Sequence, residues 1–336
     1  MMLVRPVALS DHAEILALAN KAGIGMTSLP PDSDVLKKKI ADSVKSWHGE
    51  QRPEENTFLM VLVDSDTGKI VGTTGVVAHV GMSKPFYSYK LSTIVQSSEK
   101  LGVYSQHRVL HMVNDYTGAT EIGSLFLLPE YRRDGIGSFL SRCRYLLLAE
   151  WPKLFSDVVI SEIRGVQDEH GDSPFYKDIA EAFFQMEFKR ADFIHATQGG
   201  QFISDLMPRY PVYVNLLDEK AQAVIGVPLE ASLPAKNLLE KEGFRYQGYI
   251  DVFDAGPTMQ AERGAIRTVR KSKHIVVSEI RAVSPETKAM IANVVMPEFR
   301  ITFADIEEQK SGVALTPEAA KLLNVKVDDL VRYMVL

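Results

Sequence analysis

The sequence predicts an α/β (α+β) protein in which strands alternate with helices, followed by a small C-terminal β-rich unit. Two observations support this. Runs rich in β-branched residues recur between segments of helical periodicity up to about residue 262, and residues 275–336 open and close with apolar strand-like runs. We therefore expect two domains. Residues 1–262 would form the larger α/β domain, and residues 275–336 would form a small β-barrel-like unit.

The first 130 residues are predicted to contain six strands and two helices. A strand at 3–7 precedes a helix that opens with Asp11 and Glu14, a spacing typical of a capping pair. The second helix spans 33–47, because its apolar residues recur on one face. These residues are Leu36, Ile40, Val44 and Trp47. The remaining strands are predicted at 58–63 and 70–80, which form a hairpin, and at 91–97, 110–114 and 121–128.

The second half alternates in the same way. A strand at 158–166 precedes a helix at 175–185, which has proline at its first position. A helix at 235–242 ends at Gly243, and a strand follows at 245–253. Residues 263–273 are predicted to form a basic, solvated connector to the C-terminal unit.

The segment from Tyr131 to Gly137 joins the strand ending near Leu128 to a helix with a clear apolar face. Backbone N–H groups at a helix start lack intrahelical partners and attract phosphate. Gly135 and Gly137 would let the backbone approach a phosphate closely, and Arg132 and Arg133 add positive charge. The alternative is a tight turn with solvated arginines. No Gly-Lys-Ser/Thr follows, and position 140 is leucine, so neither a P-loop nor a dinucleotide-binding turn is indicated.

Composition excludes several classes of protein. With 336 residues and a net charge of −5, the chain has no basic surface that would favour nucleic acid. Its single cysteine, Cys143, excludes an internal disulfide and a cysteine-based metal site, and it lies on an apolar helix face typical of an inert core thiol. No signal peptide or membrane-spanning run is evident. We expect a cytoplasmic protein that uses no metal and contacts no membrane.

The turn belongs to a wider resemblance. Arg132-x-x-Gly135-x-Gly137, with its preceding strand and following helix, resembles the acyl-CoA-binding segment of the GNAT acyltransferase superfamily. Further stretches, in chain order, resemble the arginine N-succinyltransferase family. These stretches are TSLPPD (27–32), PFYSYK (85–90), NDYTG (114–118), RGVQDEHGDSPF (164–175), DLMPRYPVY (205–213) and GFRYQGYIDVFDAGPT (243–258). The resemblance implies a GNAT-like fold: a mixed, splayed and twisted sheet flanked by helices.

An activity is also implied by the resemblance. Members transfer succinyl from succinyl-CoA, the co-substrate, to the α-amino group of L-arginine in arginine catabolism. The acyl-CoA would contact the strand at Leu125 and Leu127, where a backbone N–H polarises the thioester carbonyl. Its phosphates would lie at Arg132, Arg133, Gly135 and Gly137. The resemblance further implies a homo-oligomer, or a hetero-oligomer with a homologous subunit.

Recognition of arginine requires carboxylates for the guanidinium and cations for the carboxylates of arginine and succinyl. Arg164, Asp168 and Glu169 are the leading candidates because they lie in a family-like stretch. Other charged residues in such stretches or at predicted strand ends are Lys90, Asp115, Glu121, Asp251 and Asp254. Each of these charged side chains, taken alone, also fits a solvated or structural role.

One family feature is absent. The family is thought to use the histidine of a Val-His-Pro element as proton donor, but this chain has Val227-Pro228-Leu229, so Leu229 takes its place. The tyrosine position of other GNAT enzymes is Leu239. The best substitute is His170, although a lone loop histidine is commonly a surface residue. Other protonatable residues in family-like segments are Tyr116, Tyr176, Tyr246 and Tyr249.

Three functions therefore remain in competition. The first is arginine N-succinyltransferase. The second is an acyltransferase of the same fold with another amine acceptor or acyl donor. The third is a non-catalytic subunit that binds acyl-CoA or arginine. The missing histidine favours the last two and predicts slow or acceptor-shifted transfer, without a histidine limb in the pH profile. The intact Arg132-x-x-Gly135-x-Gly137 segment argues against a fully decayed site.

Overall fold

The computed structural model describes residues 1–23, 26–285 and 287–336. Its strands are β1 (Met2–Pro6), β2 (Thr57–Asp64), β3 (Ile70–Val77), β4 (Ser88–Ser98), β5 (Val103–Val113), β6 (Thr120–Leu127), β7 (Val158–Glu162), β8 (Val212–Tyr213), β9 (Arg245–Asp251), β10 (Pro257–Glu262), β11 (Lys273–Ile280), β12 (Thr287–Asn293), β13 (Ile301–Gln309), β14 (Gly312–Leu315) and β15 (Leu330–Val335). Its helices are α1 (His12–Ala22), α2 (Ser33–Trp47), α3 (Ile136–Glu150), α4 (Pro174–Ile179), α5 (Glu181–Phe184), α6 (Phe188–Gln198), α7 (Gln201–Leu206), α8 (Glu219–Val224), α9 (Leu233–Glu242), α10 (Arg267–Lys271) and α11 (Pro317–Leu323). The predicted α/β class is confirmed.

The chain folds into two compact units that each combine distant segments. Unit 1 contains Met1–His79, Thr120–Asp157 and Glu262–Leu336, and unit 2 contains Val80–Ala119 and Val158–Ala261. The division expected from the sequence, 1–262 and 275–336, follows chain order instead and stays a prediction. Within the described ranges, no helix is both long and apolar enough to cross a membrane.

Unit 1 joins a sheet to a small closed barrel. Its strand order is β12-β15-β11-β14-β13-β1-β2-β3-β6, and β12 also pairs with β13, so β11 to β15 close into a ring. β1 continues this ring into the sheet, since Leu3 pairs with Thr302 and Val4 with Ile301. The barrel interior is apolar, with Val277, Ile291 and Leu315 among its buried residues. Residues 273–336 therefore pack as part of the same compact unit as the N-terminal strands.

Unit 2 is a sheet of order β7-β10-β9-β4-β5-β8 with the helices α4 to α9. Its core is rich in aromatic residues, and Tyr176, Phe175 and Phe253 are all buried there. The predicted helix at 175–185 is in fact α4 followed by α5, with the break at Ala180. The predicted strand at 158–166 ends earlier, at Glu162, and Gly243 ends α9 in the left-handed conformation as expected.

Two local predictions are wrong. The Asp11 and Glu14 carboxylates do not cap α1: Asp11 accepts the Ala8 N–H at 2.8 Å, and Glu14 accepts the Ile70 N–H at 2.9 Å. Residues 263–273 are not a solvated connector, because they include α10, which contacts α3 and is flanked by the fully buried Ile266. Tertiary contacts hold Glu14 and α10, whereas Asp11 bonds locally, to the N–H three residues before it.

Candidate active site

Strand β6, in unit 1, contains an irregularity at the position of its predicted acyl-CoA contacts. Thr73 pairs with Phe126 and Gly75 with Gly123, so Thr74 alone lies opposite Ser124 and Leu125. Such a two-against-one arrangement is a β-bulge, which commonly re-aims backbone groups beside active sites. Ser124 has a φ of 51°, a left-handed conformation that is uncommon for residues other than glycine. The backbone at Leu125 is therefore displaced from regular strand geometry.

A polar network holds this bulge in place. The Ser124 N–H donates to Ser28 Oγ at 3.1 Å, and Ser124 Oγ donates to the Ser28 carbonyl at 3.1 Å. Lys39, on α2, donates to Ser124 Oγ at 3.1 Å and also to the Ser28 carbonyl. On the other side, Thr73 Oγ1 donates to the Ser124 carbonyl at 2.8 Å. These bonds offset the strain of the left-handed residue, which is typically about 1–3 kcal/mol.

Lys39 and Glu121 form an oppositely charged pair beside the bulge. Burial lowers the pKa of Lys39 to about 8, and the Glu121 carboxylate opposes this shift. Burial also raises the pKa of Glu121 to about 7, opposed in turn by Lys39. A Cβ placed on Gly123 would lie 4.0 Å from Glu121 Oε1, so this carboxylate flanks a stretch of backbone that has no side chain. The pair can hold or release a proton near neutral pH.

The sequence placed Glu121 only among the lesser acceptor-binding residues and missed Lys39 entirely. A signal was present, because position 39 lies three residues after the buried Leu36 and four before the buried Ser43. A lysine at that spacing borders the buried face of α2, whereas its neighbours Lys37 and Lys38 are exposed. The run of three lysines made all of them look solvated.

The turn after β6 has the geometry expected of an anion site. Gly135 is the N-cap of α3 with a φ of 77°, and among the described residues no side chain caps this helix. A Cβ on Gly137 would meet Leu127 Cδ2 only at 3.8 Å, so the first turn has room. Arg132 Nε donates to the Leu127 carbonyl at 3.0 Å, which ties the turn to the strand end, and Arg133 is exposed beside Asp134. The structure thus brings the predicted residues on β6 and α3 together in unit 1.

In unit 2, the Arg164 side chain is largely buried, with 16% of it exposed, and its guanidinium is already paired with carboxylates. Its guanidinium donates to Asp192 Oδ1 at 3.0 Å, lies 3.1 Å from Asp254 Oδ2 and stacks over the Phe188 ring at 5.2 Å. Burial and the neighbouring Asp251 carboxylate raise the pKa of Asp254 to about 7. The sequence did not single out Asp192. Arg164 therefore organises carboxylates of its own unit, including the predicted candidates Asp251 and Asp254.

Residues 227–229, where the family resemblance implies a histidine, pair with residues 164–165, just after β7. The Leu229 N–H donates to the Arg164 carbonyl at 2.7 Å, and Gly165 bridges to Pro228. Gly165 must be glycine here, because a Cβ would lie 2.1 Å from the Asp254 carbonyl. The structure therefore places Leu229 against the backbone of the candidate residue Arg164, which no sequence pattern showed.

The loop from Asp168 to Asp172 carries the other predicted residues. Asp168 Oδ1 accepts the N–H groups of His170 and Asp172, both at 2.9 Å, and the Asp172 N–H is the main cause that lowers the pKa of Asp168. His170 and Glu169 are exposed, with side-chain exposures of 77% and 87% and a separation of 3.7 Å. Asp168 shapes this loop, and the imidazole of His170 faces solvent.

A second polar cluster in unit 2 contains Lys90, Asp115 and Tyr249. Tyr249 donates to Asp115 at 2.8 Å, Lys90 Nζ lies 3.7 Å from the same carboxylate, and Lys90 also sits 5.1 Å from the Tyr249 ring centroid. Tyr116 packs against Tyr249 and donates to Gln260 at 3.0 Å. Burial raises the pKa of the Tyr116 and Tyr176 hydroxyls, so these two tyrosines do not ionise near neutral pH.

Among the described residues, no three His, Cys, Asp or Glu side chains form a group suited to a metal ion. Cys143 is buried, and burial raises the pKa of its thiol, as the prediction of a core thiol requires.

Comparison with known proteins assigns the chain to a family. The model of the arginine N-succinyltransferase beta subunit matches residues 2–268, and that of its C-terminal domain matches residues 273–334. The arginine N-succinyltransferases of Escherichia coli (strain 55989 / EAEC) and Citrobacter koseri are 39% and 40% identical over 333 residues, which cover 99% of this chain and 97% of each relative.

A solved structure is also similar over the whole chain. Arginine/ornithine succinyltransferase subunit AI from Pseudomonas aeruginosa has 31% identity and a TM-score of 0.90, with 100% of this chain and 98% of that chain covered. Sequence and fold thus agree over the full length of the chain. The protein belongs to the arginine N-succinyltransferase family.

Proposed function

We propose that the chain transfers succinyl from succinyl-CoA to the α-amino group of L-arginine. The observation that carries this proposal is the similarity to arginine N-succinyltransferases, which covers 99% of this chain and 97% of the Escherichia coli relative. The geometry of unit 1 supports it, because a bulged strand, an uncapped helix start and a proton-binding pair occur together there.

Unit 1 would bind the acyl donor. The N–H groups at the start of α3 and the Arg132 and Arg133 guanidinium groups suit the pyrophosphate of CoA. The bulge displaces the backbone at Leu125, where an N–H would stabilise the negative charge that develops on the thioester oxygen. Loss of one such donor typically costs about 10²–10³ in kcat, so backbone geometry at this bulge matters more than the Leu125 side chain.

Without a histidine at position 229, another group must accept the proton of the arginine α-ammonium group. We propose that the Glu121 carboxylate takes a proton from the α-ammonium group of arginine. The neutral amine then attacks the thioester carbonyl carbon, a C–N bond forms, the C–S bond breaks and the departing CoA thiolate takes a second proton from the nitrogen. Glu121 fits this role because its pKa of about 7 keeps a useful fraction ionised while leaving it basic enough to accept a proton.

His170 stays a competing proposal as proton carrier. Its side chain is exposed in the loop of unit 2, and its ring partner is the equally exposed Glu169. For the acceptor we propose Asp168 and Glu169 as guanidinium partners, with Arg164 acting on the carboxylates. Of these, Glu169 has the carboxylate with least protein contact, whereas Arg164 is engaged by Asp192 and Asp254.

Ornithine is a second candidate acceptor, because a similar protein is named for it. The similar Pseudomonas aeruginosa protein is described as a subunit of an arginine/ornithine succinyltransferase. The test is release of thiol from succinyl-CoA with arginine, ornithine, lysine or no acceptor, with the product identified by mass spectrometry. Fastest release with arginine supports the proposal. Preference for another amine would establish a different acyltransferase, and binding of succinyl-CoA without any release would establish a non-catalytic subunit.

We also propose that the chain assembles with copies of itself or with a homologous subunit. Among the described residues, β4 pairs with β9 only from Ser88 to Lys90, and β5 pairs with β8 only at Val109 and Leu110. The rest of this hairpin is a two-stranded ribbon in the described part of the chain, and such ribbons are marginal in water. Its end exposes large apolar side chains, which often mark interaction surfaces. They are Val95, Leu101, Val103 and Tyr104.

A further inference from the structure

A cavity of about 200 Å³ lies in unit 1, between the start of α3 and the outside of the C-terminal barrel. It is lined on the α3 side by Asp134, Gly135, Ser138, Phe139 and Arg142, and on the barrel side by Lys288, Phe303 and Leu336. Pockets that enclose a whole drug-sized ligand usually measure ~300–1,000 Å³, so this cavity suits one part of a larger ligand.

The barrel side of the cavity follows from strand alternation. Ala289 and Ala304 point into the barrel core, so their neighbours Lys288 and Phe303 point outward, towards α3. The Phe303 ring meets Phe139 in a T-shaped contact with centroids 4.8 Å apart, and Lys288 Nζ lies 5.5 Å from the Phe303 centroid. An aromatic ring and an ammonium group are thus presented side by side.

The α3 side of the cavity continues directly into the turn proposed to bind pyrophosphate. Gly135 is both a lining residue and the N-cap of α3, and Arg142 lies about two turns further along the same face. A ligand whose pyrophosphate occupied the turn would therefore have its next group at the cavity. In acyl-CoA that group, on the side away from the pantetheine arm, is adenosine with a 3′-phosphate.

We propose that this cavity binds the 3′-phosphoadenosine end of acyl-CoA, with Phe303 against the base and Lys288 bonded to the 3′-phosphate. The C-terminal barrel would then be part of the donor site. The inference rests on the proposed function only in taking acyl-CoA as the ligand. Asp134, the acidic side chain in the lining, would weaken the site by repelling phosphate.

Calorimetric titration with CoA, 3′-dephospho-CoA and pantetheine tests the assignment without relying on turnover. Lys288→Met keeps the apolar stem and removes the charge. We expect it to weaken CoA binding about 3- to 10-fold and to leave dephospho-CoA binding unchanged. Phe303→Leu should weaken both nucleotides about tenfold and leave pantetheine unchanged. Asp134→Asn, which suits the left-handed φ of 52° at that residue, should tighten CoA binding about twofold.

Lys326→Met is the matched control, since Lys326 is an exposed barrel lysine outside the cavity lining, and CoA affinity should not change. The assignment is overturned if Lys288→Met leaves CoA affinity unchanged, or weakens CoA and dephospho-CoA equally. The proposed function fails separately: charge-dependent CoA binding at Lys288 without succinyl transfer would retain this site and reject the activity. Succinyl transfer together with unchanged CoA affinity in Lys288→Met would retain the activity and reject this site.

Discussion

Lys39 Nζ donates to Ser124 Oγ at 3.1 Å, so a cation on α2 is bonded directly to the left-handed residue of the β6 bulge. The same lysine acts electrostatically on Glu121, three residues before Ser124. One side chain therefore couples the backbone geometry of the proposed donor site to the proton affinity of the proposed base. The first two predictions separate these effects.

Glu121→Gln should lower kcat by about 10²–10⁴, the usual worth of a general acid or base. In the wild type, kcat/KM should rise with pH through a limb near 7, because Glu121 must be ionised to accept a proton. The variant should lose this limb. His170→Ala is the matched control and should keep both rate and limb. A limb that survives Glu121→Gln and vanishes in His170→Ala would assign the proton transfer to the loop histidine instead.

Lys39→Met should shift the kcat/KM limb of Glu121 to higher pH, because the Lys39 charge lowers the pKa of that carboxyl. The rate measured well above the limb should also fall, since the bulge loses a bond. Lys38→Met, one position away and exposed, should change neither property. A limb that stays in place in Lys39→Met would show that the two charges do not interact.

The pKa of Glu121 also makes a stability prediction. This carboxyl has a folded-state pKa of about 7, above its ordinary value of 4.5, so the folded state binds the proton more tightly than the unfolded state does. The stabilisation present below pH 4.5 is therefore lost as the pH rises towards 7. In Glu121→Gln this loss should disappear, and its free energy of unfolding relative to wild type should rise by roughly 2 kcal/mol between pH 5 and 8. Urea unfolding at several pH values measures this difference. The prediction is wrong if the free energies of unfolding of wild type and Glu121→Gln change with pH in parallel.

Gly137→Ala should weaken succinyl-CoA binding about tenfold or more without loss of stability. The added Cβ has room in the protein, with its nearest described neighbour at 3.8 Å, but it would occupy space needed by a phosphate. Gly135→Ala should instead destabilise the fold by about 1 kcal/mol, because its φ of 77° is strained for alanine. Calorimetry and thermal unfolding distinguish the two. Unchanged acyl-CoA affinity in Gly137→Ala would reject the phosphate turn.

Leu229→His places a histidine where the family resemblance implies a proton donor, in a segment whose Leu229 N–H donates to the Arg164 carbonyl. We expect a gain in turnover of at most about 10²-fold, accompanied by a new limb near pH 6.5. The gain requires that the neighbouring residues still position the acceptor. Leu229→Gln is the control, because it adds a polar side chain that does not titrate. Equal turnover in Leu229→His and Leu229→Gln would show that a histidine at this position takes no part in proton transfer.

Leu101→Ser combined with Tyr104→Ser should lower the oligomeric state seen by light scattering, since both side chains are exposed at the end of the β4–β5 ribbon. Serine at the exposed Leu9 and Met82 is the control, because these two side chains are equally apolar and lie elsewhere. The proposed assembly surface is wrong if the ribbon variant keeps the wild-type mass.

The sequence by itself determined the elements whose signals are local. The glycine turn before α3, the amphipathic α2 and the terminator Gly243 were all readable, because each depends on residues within one or two helical turns. The family resemblance was readable for a similar reason, since its motifs are short and contiguous. The strand predicted at 121–128 corresponds to β6, which contains the bulge, although no sequence pattern revealed the bulge itself.

Only the tertiary structure decided which charged groups are buried and paired. Lys39 and Ser124 are 85 positions apart, and Arg164 and Asp192 are 28 apart, so no periodicity connects them. The exposed Lys38 and the half-buried Lys39 are the same residue type, yet burial lowers the pKa of Lys39 to about 8. The sequence predicted the loss of the family histidine at Leu229, whereas its proposed replacement became visible only when folding placed Glu121 in a low-dielectric site beside an opposing charge.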